Sequence, residues 1–156
     1  MAFLIDTNVL VRTLQPHHPH CAQAERAVAA LRTANEVLHV AAQNLIEFWA
    51  VATRPEGENG LGMSIEAASR ELTALKRLFS LLPEAPVFDE WERLVATYRV
   101  SGRNTHDARL VSSMKAHGIA RILTFNVRDF ARYREIEALH PDAVGLQSVD
   151  FPSWKS

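Results

Sequence analysis

Four carboxylates in this sequence of 156 residues occupy positions where charge and surroundings conflict. Glu47 lies in the middle of Ala42–Thr53, an apolar stretch carrying Leu45, Ile46, Phe48, Trp49 and Val51. A carboxylate on a buried helix costs several kcal/mol when unpaired. It needs a cation, a metal or a raised pKa to persist there, an arginine partner being the ordinary solution. Asp107 precedes Leu110, Val111 and Met114 by three, four and seven residues, so it shares the apolar face of its helix. Its place in a first helical turn suits the helix dipole but does not explain why it faces inward. Asp6 directly follows the apolar run Ala2-Phe3-Leu4-Ile5, and Asp129 follows Thr124 by five residues. Each alone is an ordinary turn former or helix cap.

Taken together, two acids follow strands and two lie on core-facing helix positions. One compact α/β fold can bring all four to one place. Four clustered carboxylates repel one another strongly without a counter-cation. Their hard oxygen atoms favour Mg²⁺ or Mn²⁺ over zinc.

The elements that must position these acids are legible in outline. Ala2–Ile5 and Val37–Val40 are short apolar runs that fit buried parallel strands, and Ile119–Thr124 reads as a third. Between them, helical patterns run over Val9–Leu14, Cys21–Leu31 and Ala42–Thr53. Another starts at the N-cap Ser64 and carries Ile65, Leu72, Leu75, Phe79 and Leu82. Asp89-Glu90-Trp91-Glu92 has capping-box spacing for a helix to about Val100, and the next runs from about Thr105 to Gly118. Val144–Val149 reads as an edge strand, and Gly57–Gly62 as a flexible connector. Alternating strands and helices predict a single α/β domain over residues 1–156, a three-layer α/β/α sandwich with a central parallel sheet. Sites in such sheets form beyond the carboxyl ends of the strands, where Asp6 and Asp129 fall.

Composition sets the outer limits. Hydrophobic residues make up 47% and charged residues 22%, which fits a globular chain. Cys21 is the only cysteine, so no intrachain disulfide forms, and a reducing cytoplasm is the expected compartment. The N-terminal apolar run is too short for a signal peptide, and no segment is long enough for a membrane span. The net charge is −1, but the window from Arg99 to Arg134 holds eight basic residues and two acids. That segment carries +6 against −7 for the remainder, a footprint expected for a polyanionic partner.

Four segments in order resemble the successive motifs of PIN domains: Leu4-Ile5-Asp6-Thr7-Asn8-Val9-Leu10, Asn44-Leu45-Ile46-Glu47-Phe48, His106-Asp107-Ala108-Arg109-Leu110-Val111 and Leu123-Thr124-Phe125-Asn126-Val127-Arg128-Asp129-Phe130. More narrowly, the chain is similar to VapC-type toxins of bacterial toxin–antitoxin pairs. The resemblance implies a metal-dependent endoribonuclease whose acidic cluster is Asp6, Glu47, Asp107 and Asp129. Asn8 and Thr124 are then its supporting polar positions. Some members carry an acid where this chain has Asn126, so Asn126 and Asp129 compete for the fourth place. The implied mechanism has Asp6 and Asp107 as direct ligands of Mg²⁺ or Mn²⁺. Glu47 coordinates or takes a proton from the attacking water. Asp129 acts through ordered water, and Arg103, Arg109 and Arg128 hold the RNA backbone. The implied partners are RNA, a cognate antitoxin and a second copy of the chain. The antitoxin would lie along a groove built from Leu72, Leu75, Phe79 and Leu82 with Trp49.

Other readings are weaker. His17, His18 and His20 lie in a loop that Pro16 and Pro19 are expected to hold extended, so converging metal ligands are not expected there. A haloacid-dehalogenase-like phosphatase also places Asp after its first strand, but it wants a second Asp where this chain has Asn8. A catalytically silent RNA- or partner-binding module on the same fold would be expected to have lost some of the acids.

Overall fold

The computed structural model describes residues 1–145. Five parallel strands form one sheet: β1 (Ala2–Ile5), β2 (Val37–Val40), β3 (Ser80–Leu81), β4 (Arg121–Leu123) and β5 (Glu137–Leu139), in the order β3-β2-β1-β4-β5. The first strand is therefore central, and the chain winds outward on one side before returning to the other. That reversal leaves a crevice at the carboxyl ends of β1 and β4.

Seven helices cover the sheet among the described residues. They are α1 (Thr7–Thr13), α2 (Cys21–Thr33), α3 (Ala42–Thr53), α4 (Ile65–Leu78), α5 (Phe88–Thr97), α6 (Asn104–Ala116) and α7 (Val127–Phe130). Alternation along β1 divides the core. Phe3 and Ile5 pack with Val9, Ala27, Phe48 and Leu75 from the helices α1 to α4. Leu4 faces the opposite layer and packs with Leu94, Val111, Met114 and Phe130 from α5 to α7. β4 repeats the pattern, with Ile122 in the second cluster and Leu123 in the first. This is the expected α/β/α sandwich.

Strands β1 and β2 and helix α3 have the boundaries expected from sequence, and Ser64 caps α4 by accepting from the Ala67 N–H at 3.1 Å. Several expectations need correction. The third strand is shorter, covering Arg121–Leu123. Helix α4 stops at Leu78, and Ser80–Leu81 becomes an edge strand beside β2. Strand β5 was not anticipated. Asp89 and Glu90 lie in the first turn of α5, whose N-cap is Val87, so no side-chain cap forms there. Val144 and Gly145 form a turn instead of starting a strand, and residues 146–149 lie outside the described residues.

Two loops are more ordered than expected. His17–His20 is a pair of tight turns, not an extended run. The His18 N–H donates to the Gln15 carbonyl, and His18 Nδ1 accepts from the His20 N–H. The His20 ring stacks on Phe125 at 4.8 Å. The Gly57–Gly62 segment is likewise no flexible connector. Its N–H groups at Leu61, Gly62 and Met63 donate to the carbonyls of Val51, Arg54 and Ala52, closing the loop onto the end of α3. A Cβ on Gly60 would fall 2.0 Å from the Arg54 carbonyl oxygen, so only glycine allows this closure.

Candidate active site

Asp6 is the hinge between β1 and α1. Its N–H donates to the Leu123 carbonyl, which extends the β1–β4 pairing by one residue, and its carboxylate caps α1. Three donors hold that carboxylate: the Thr7 N–H at 2.8 Å on Oδ1, and on Oδ2 the Asn8 amide at 3.1 Å and the Thr124 hydroxyl at 2.7 Å. The Thr124 hydroxyl also accepts from the Asn126 N–H at 3.0 Å, and Asn8 Oδ1 accepts from the Phe125 N–H at 3.1 Å. Asn8 and Thr124, expected from the resemblance as supporting polar positions, thus both donate to the Asp6 carboxylate. Together they lock the turn after β4 to the turn after β1.

Glu47 projects from α3 into the same cleft. The Thr7 hydroxyl donates to its Oε2 at 2.8 Å, and the Gln43 amide donates to its Oε1 at 2.9 Å. Gln43 lies one helical turn before Glu47 and accepts from Arg109 Nη1 at 3.0 Å, while its amide also reaches the His106 carbonyl. The arginine expected on RNA is therefore also a brace behind Glu47. Neither Thr7 nor Gln43 is among the site residues expected from the sequence. The signal for Gln43 was a buried amide at i−4 from an already anomalous acid.

Asp107 enters from the first turn of α6 and is half-buried. No donor holds its carboxylate among the described residues. Burial, followed by the negative charges of Asp6, Asp129 and Glu47, pushes it up to about 7, with Arg132 opposing. Burial also pushes Asp6 up to about 6, with Glu47 and Asp129 adding to it and the hydrogen bonds from Thr124 and Thr7 opposing. Asp6 and Asp107 therefore both feel the charges of Glu47 and Asp129.

Asp6, Glu47 and Asp107 line one cleft of about 450 Å³ with Asn8 and Asn126. Asp129 lies one turn beyond Asn126 on α7, and its N–H donates to the Asn126 carbonyl at 3.0 Å. It contributes field to the site without lining the cleft. Arg103 and Arg128 are exposed and stand outside the lining, whereas Arg12 and Arg54 belong to it. Part of the basic segment is neutralised locally, with Lys115 2.6 Å from Glu90 and Arg121 3.2 Å from Glu137.

Among the described residues, no three His, Cys, Asp or Glu side chains form a ready-made metal cage. Repulsion among unneutralised carboxylates opposes such closure. The carboxylates nevertheless offer oxygen atoms alone, with two of them pushed toward neutrality by burial and then by their neighbours' negative charge. That chemistry fits a hard divalent cation that keeps part of its water shell.

The PIN-domain family model matches residues 3–136. Ribonuclease VapC24 of Mycobacterium tuberculosis is 32% identical over 136 residues, covering 83% of this chain and 89% of that protein. The fold is similar to a Rickettsia felis VapBC2 complex bound to a DNA fragment from its promoter, with a TM-score of 0.67 and 14% identity. That match covers 90% of this chain and 98% of the other. It is also similar to Mycobacterium tuberculosis VapC20, a sarcin–ricin-loop-cleaving toxin, with a TM-score of 0.59 and 18% identity over 86% of this chain and 98% of that one. The chain belongs to the PIN-domain family. That assignment sets aside the phosphatase alternative.

Proposed function

From membership of the PIN-domain family, we propose that this protein is a Mg²⁺- or Mn²⁺-dependent endoribonuclease and the toxin of a toxin–antitoxin pair. The observation that carries this reading is the convergence of Asp6, Glu47 and Asp107 on one cleft, within the field of Asp129. The similarity to a protein named ribonuclease supports RNA as the substrate. A divalent cation bound there supplies positive charge to the scissile phosphate and makes a water molecule nucleophilic near neutral pH.

The chain's own residues divide the remaining work. Asp6 and Asp107 would hold the cation. Thr7 and Gln43 fix both oxygens of Glu47, which lines the cleft and would orient the attacking water by accepting its hydrogen bond. Thr124 and Asn8 keep Asp6 in one rotamer. Asp129 strengthens cation binding through its charge and through water, while Asn126 lies nearer the reacting centre.

The partner is an antitoxin helix. Ala42, Leu45, Ile46, Trp49, Leu72 and Leu81 line an apolar groove of about 310 Å³ on α3, α4 and β3. Ile46 and Leu81 are exposed there, so an amphipathic helix would bury them. The expected groove is corrected in detail. Leu72 and Trp49 line it, but Leu75, Phe79 and Leu82 are core residues with less than a tenth of their surface exposed. A second copy of the chain is the expected further partner. The cytoplasm is the expected compartment, and no described helix is long and apolar enough to cross a membrane.

Purified protein incubated with total cellular RNA and Mn²⁺ should yield discrete cuts with 5′-phosphate and 3′-hydroxyl ends, because water and not the 2′-hydroxyl attacks. Undiminished cleavage in excess EDTA, or 2′,3′-cyclic phosphate products, would overturn the mechanism. Expression without the neighbouring gene should arrest growth, and the antitoxin should copurify when both are present. Harmless expression with no copurifying protein would overturn the toxin reading.

A further inference from the structure

Arg12 and Arg54 share the cleft with the carboxylates, yet neither is ion-paired among the described residues. This is unexpected on electrostatic grounds, because a guanidinium beside clustered acids gains by closing onto one of them. Arg12 is half-buried on the last turn of α1, where its Nη1 donates to Gln15 Oε1 at 2.6 Å. That bond holds the guanidinium in place and leaves its other donors open. Arg54 follows α3 as its C-cap.

The loop that closes on α3 makes this side of the cleft a wall. The Gly62 N–H donates to the Arg54 carbonyl at 2.8 Å, and Gly60 packs on that same carbonyl where no side chain would fit. Asn59, just before Gly60, takes a left-handed φ of 61° and joins Arg54 in lining the cleft. The Arg54 carbonyl is therefore fixed by this loop, and Arg54 lines the same cleft as the acids.

We propose that Arg12 and Arg54, with Asn59, form a phosphate-binding subsite that takes the phosphodiester next to the scissile one. The inference rests on the ribonuclease reading above. The acids claim the cation and the scissile phosphate. The guanidiniums of Arg12 and Arg54, which line the same cleft without an acidic partner among the described residues, claim the neighbouring backbone charge, in the forked geometry that arginine offers to phosphate. This moves the main backbone contact away from Arg103 and Arg128, which stand outside the cleft, and onto residues from the two helices that carry Asp6's cap and Glu47.

The test compares Arg12→Gln and Arg54→Gln with Arg103→Gln and Arg128→Gln. Each cleft substitution should raise KM for a short oligoribonucleotide about tenfold with little change in kcat, the size of one charge-assisted hydrogen bond. Each should also reduce the slope of log kcat/KM against log salt by about 0.7, the single-strand value for one lost phosphate contact. Arg54→Lys should restore part of the slope. A substrate with a neutral methylphosphonate at the neighbouring linkage should weaken wild type more than either single substitution does and cost the Arg12→Gln/Arg54→Gln double variant nothing further. Anisotropy of a labelled oligoribonucleotide on an Asp107→Asn background reads the same wall without cleavage, so failure of the ribonuclease reading is seen separately as a wild type that cuts no RNA. Unchanged binding and salt slope in both cleft variants, or equal losses in Arg103→Gln and Arg128→Gln, would overturn the subsite. Matching melting temperatures keep loss of fold from being read as loss of contact.

Discussion

Asp6 and Glu47 receive five hydrogen bonds between them, whereas the carboxylates of Asp107 and Asp129 receive none among the described residues. The braced pair sits on β1 and α3, in a web of Thr7, Asn8, Gln43 and Thr124 that needs no ligand to be complete. The bare pair sits on α6 and α7, where Arg132 offsets part of the repulsion on Asp107. One half of the site is held by the fold; on the proposed function, the other half is left for a cation to finish. A site whose every acid was satisfied internally would have little affinity left for an ion, and one with none satisfied would not hold its geometry.

Substituting the bare half should give the largest effect on activity together with the opposite effect on stability. Asp107→Asn should lower cleavage by about 10³-fold or more, on the scale of removing a principal electrostatic group from an active site. The metal-free variant should melt higher than wild type, by roughly 3–6 °C if 1–2 kcal/mol of repulsion is relieved in a domain of this size. Calorimetry and single-turnover kinetics on the same preparation check both signs. A variant that loses activity and also melts lower would mean that Asp107 is braced after all.

The braced half should respond in the reverse sense. Thr124→Val removes the 2.7 Å bond to Asp6 and the acceptor for the Asn126 N–H, with almost no change in shape. It should cost about 2 kcal/mol of metal-free stability and lower activity less than Asp107→Asn does. Denaturant melts with and without Mn²⁺ would show it. Equal stability of Thr124→Val and wild type would mean that the web does not hold Asp6.

A smaller effect lies in pH. Asp6 and Asp107 have folded values raised from 3.8 to about 6 and about 7, so the folded state keeps protons that the unfolded chain has released. Their contribution to stability is therefore full below about pH 4 and declines as pH rises toward 7. Glu90 acts oppositely, since its bonds to Arg93 and Lys115 hold it near 2, and its gain is complete by about pH 5. Metal-free melting temperature should thus fall between about pH 5 and 7. Saturating Mn²⁺ or the Asp107→Asn substitution should flatten that fall. A flat profile in the metal-free wild type would remove the argument that the acids repel.

The smallest and finest distinction is between Asn126 and Asp129. Asp129→Asn should weaken cation binding by about tenfold, one opposite charge at a partly screened distance, and high Mn²⁺ should restore most of the activity. Asn126→Ala should cost less, and Asn126→Asp should tighten cation binding. Isothermal titration with Mn²⁺ across the three variants ranks them. A dead Asn126→Ala beside a normal Asp129→Asn would exchange the two roles.

What could be read from the sequence follows the same division. Asp6, Glu47 and Asp107 were visible because a carboxylate at a strand end or on an apolar helix face is out of place locally. β1, β2 and α3 were visible because their apolar runs end at abrupt polar or proline punctuation. Strands β3 and β5 were not, because two or three residues carry no period. Ser80–Leu81 is an exposed edge that becomes a strand only because β2 offers it unpaired backbone. Arg12 and Arg54 were passed over for a different reason. An arginine at a helix end is ordinary, and its lack of an acidic partner is a property of space rather than of spacing. The Gly57–Gly62 loop was misread because glycine serves both mobility and close packing, and only the Arg54 carbonyl beneath Gly60 shows which applies.

The bond from Thr124 to Asp6 joins residues 118 positions apart in the chain. During synthesis the first acid leaves the ribosome long before the hydroxyl that orients it, a delay on the order of ten seconds at ordinary elongation rates. Until then β1 lacks its β4 neighbour, the Asn8 amide lacks Thr124, and Asp107 has at best just been added. A nascent chain therefore carries an unassembled cleft beside the very RNA machinery that makes it. Ribosome-bound chains arrested before Thr124 should be unable to cut RNA, and cleavage by such chains would show that the site does not depend on this late pairing. The winding order of the sheet, with its central strand first and that strand's second neighbour more than a hundred residues later, acts as a timer as well as a scaffold.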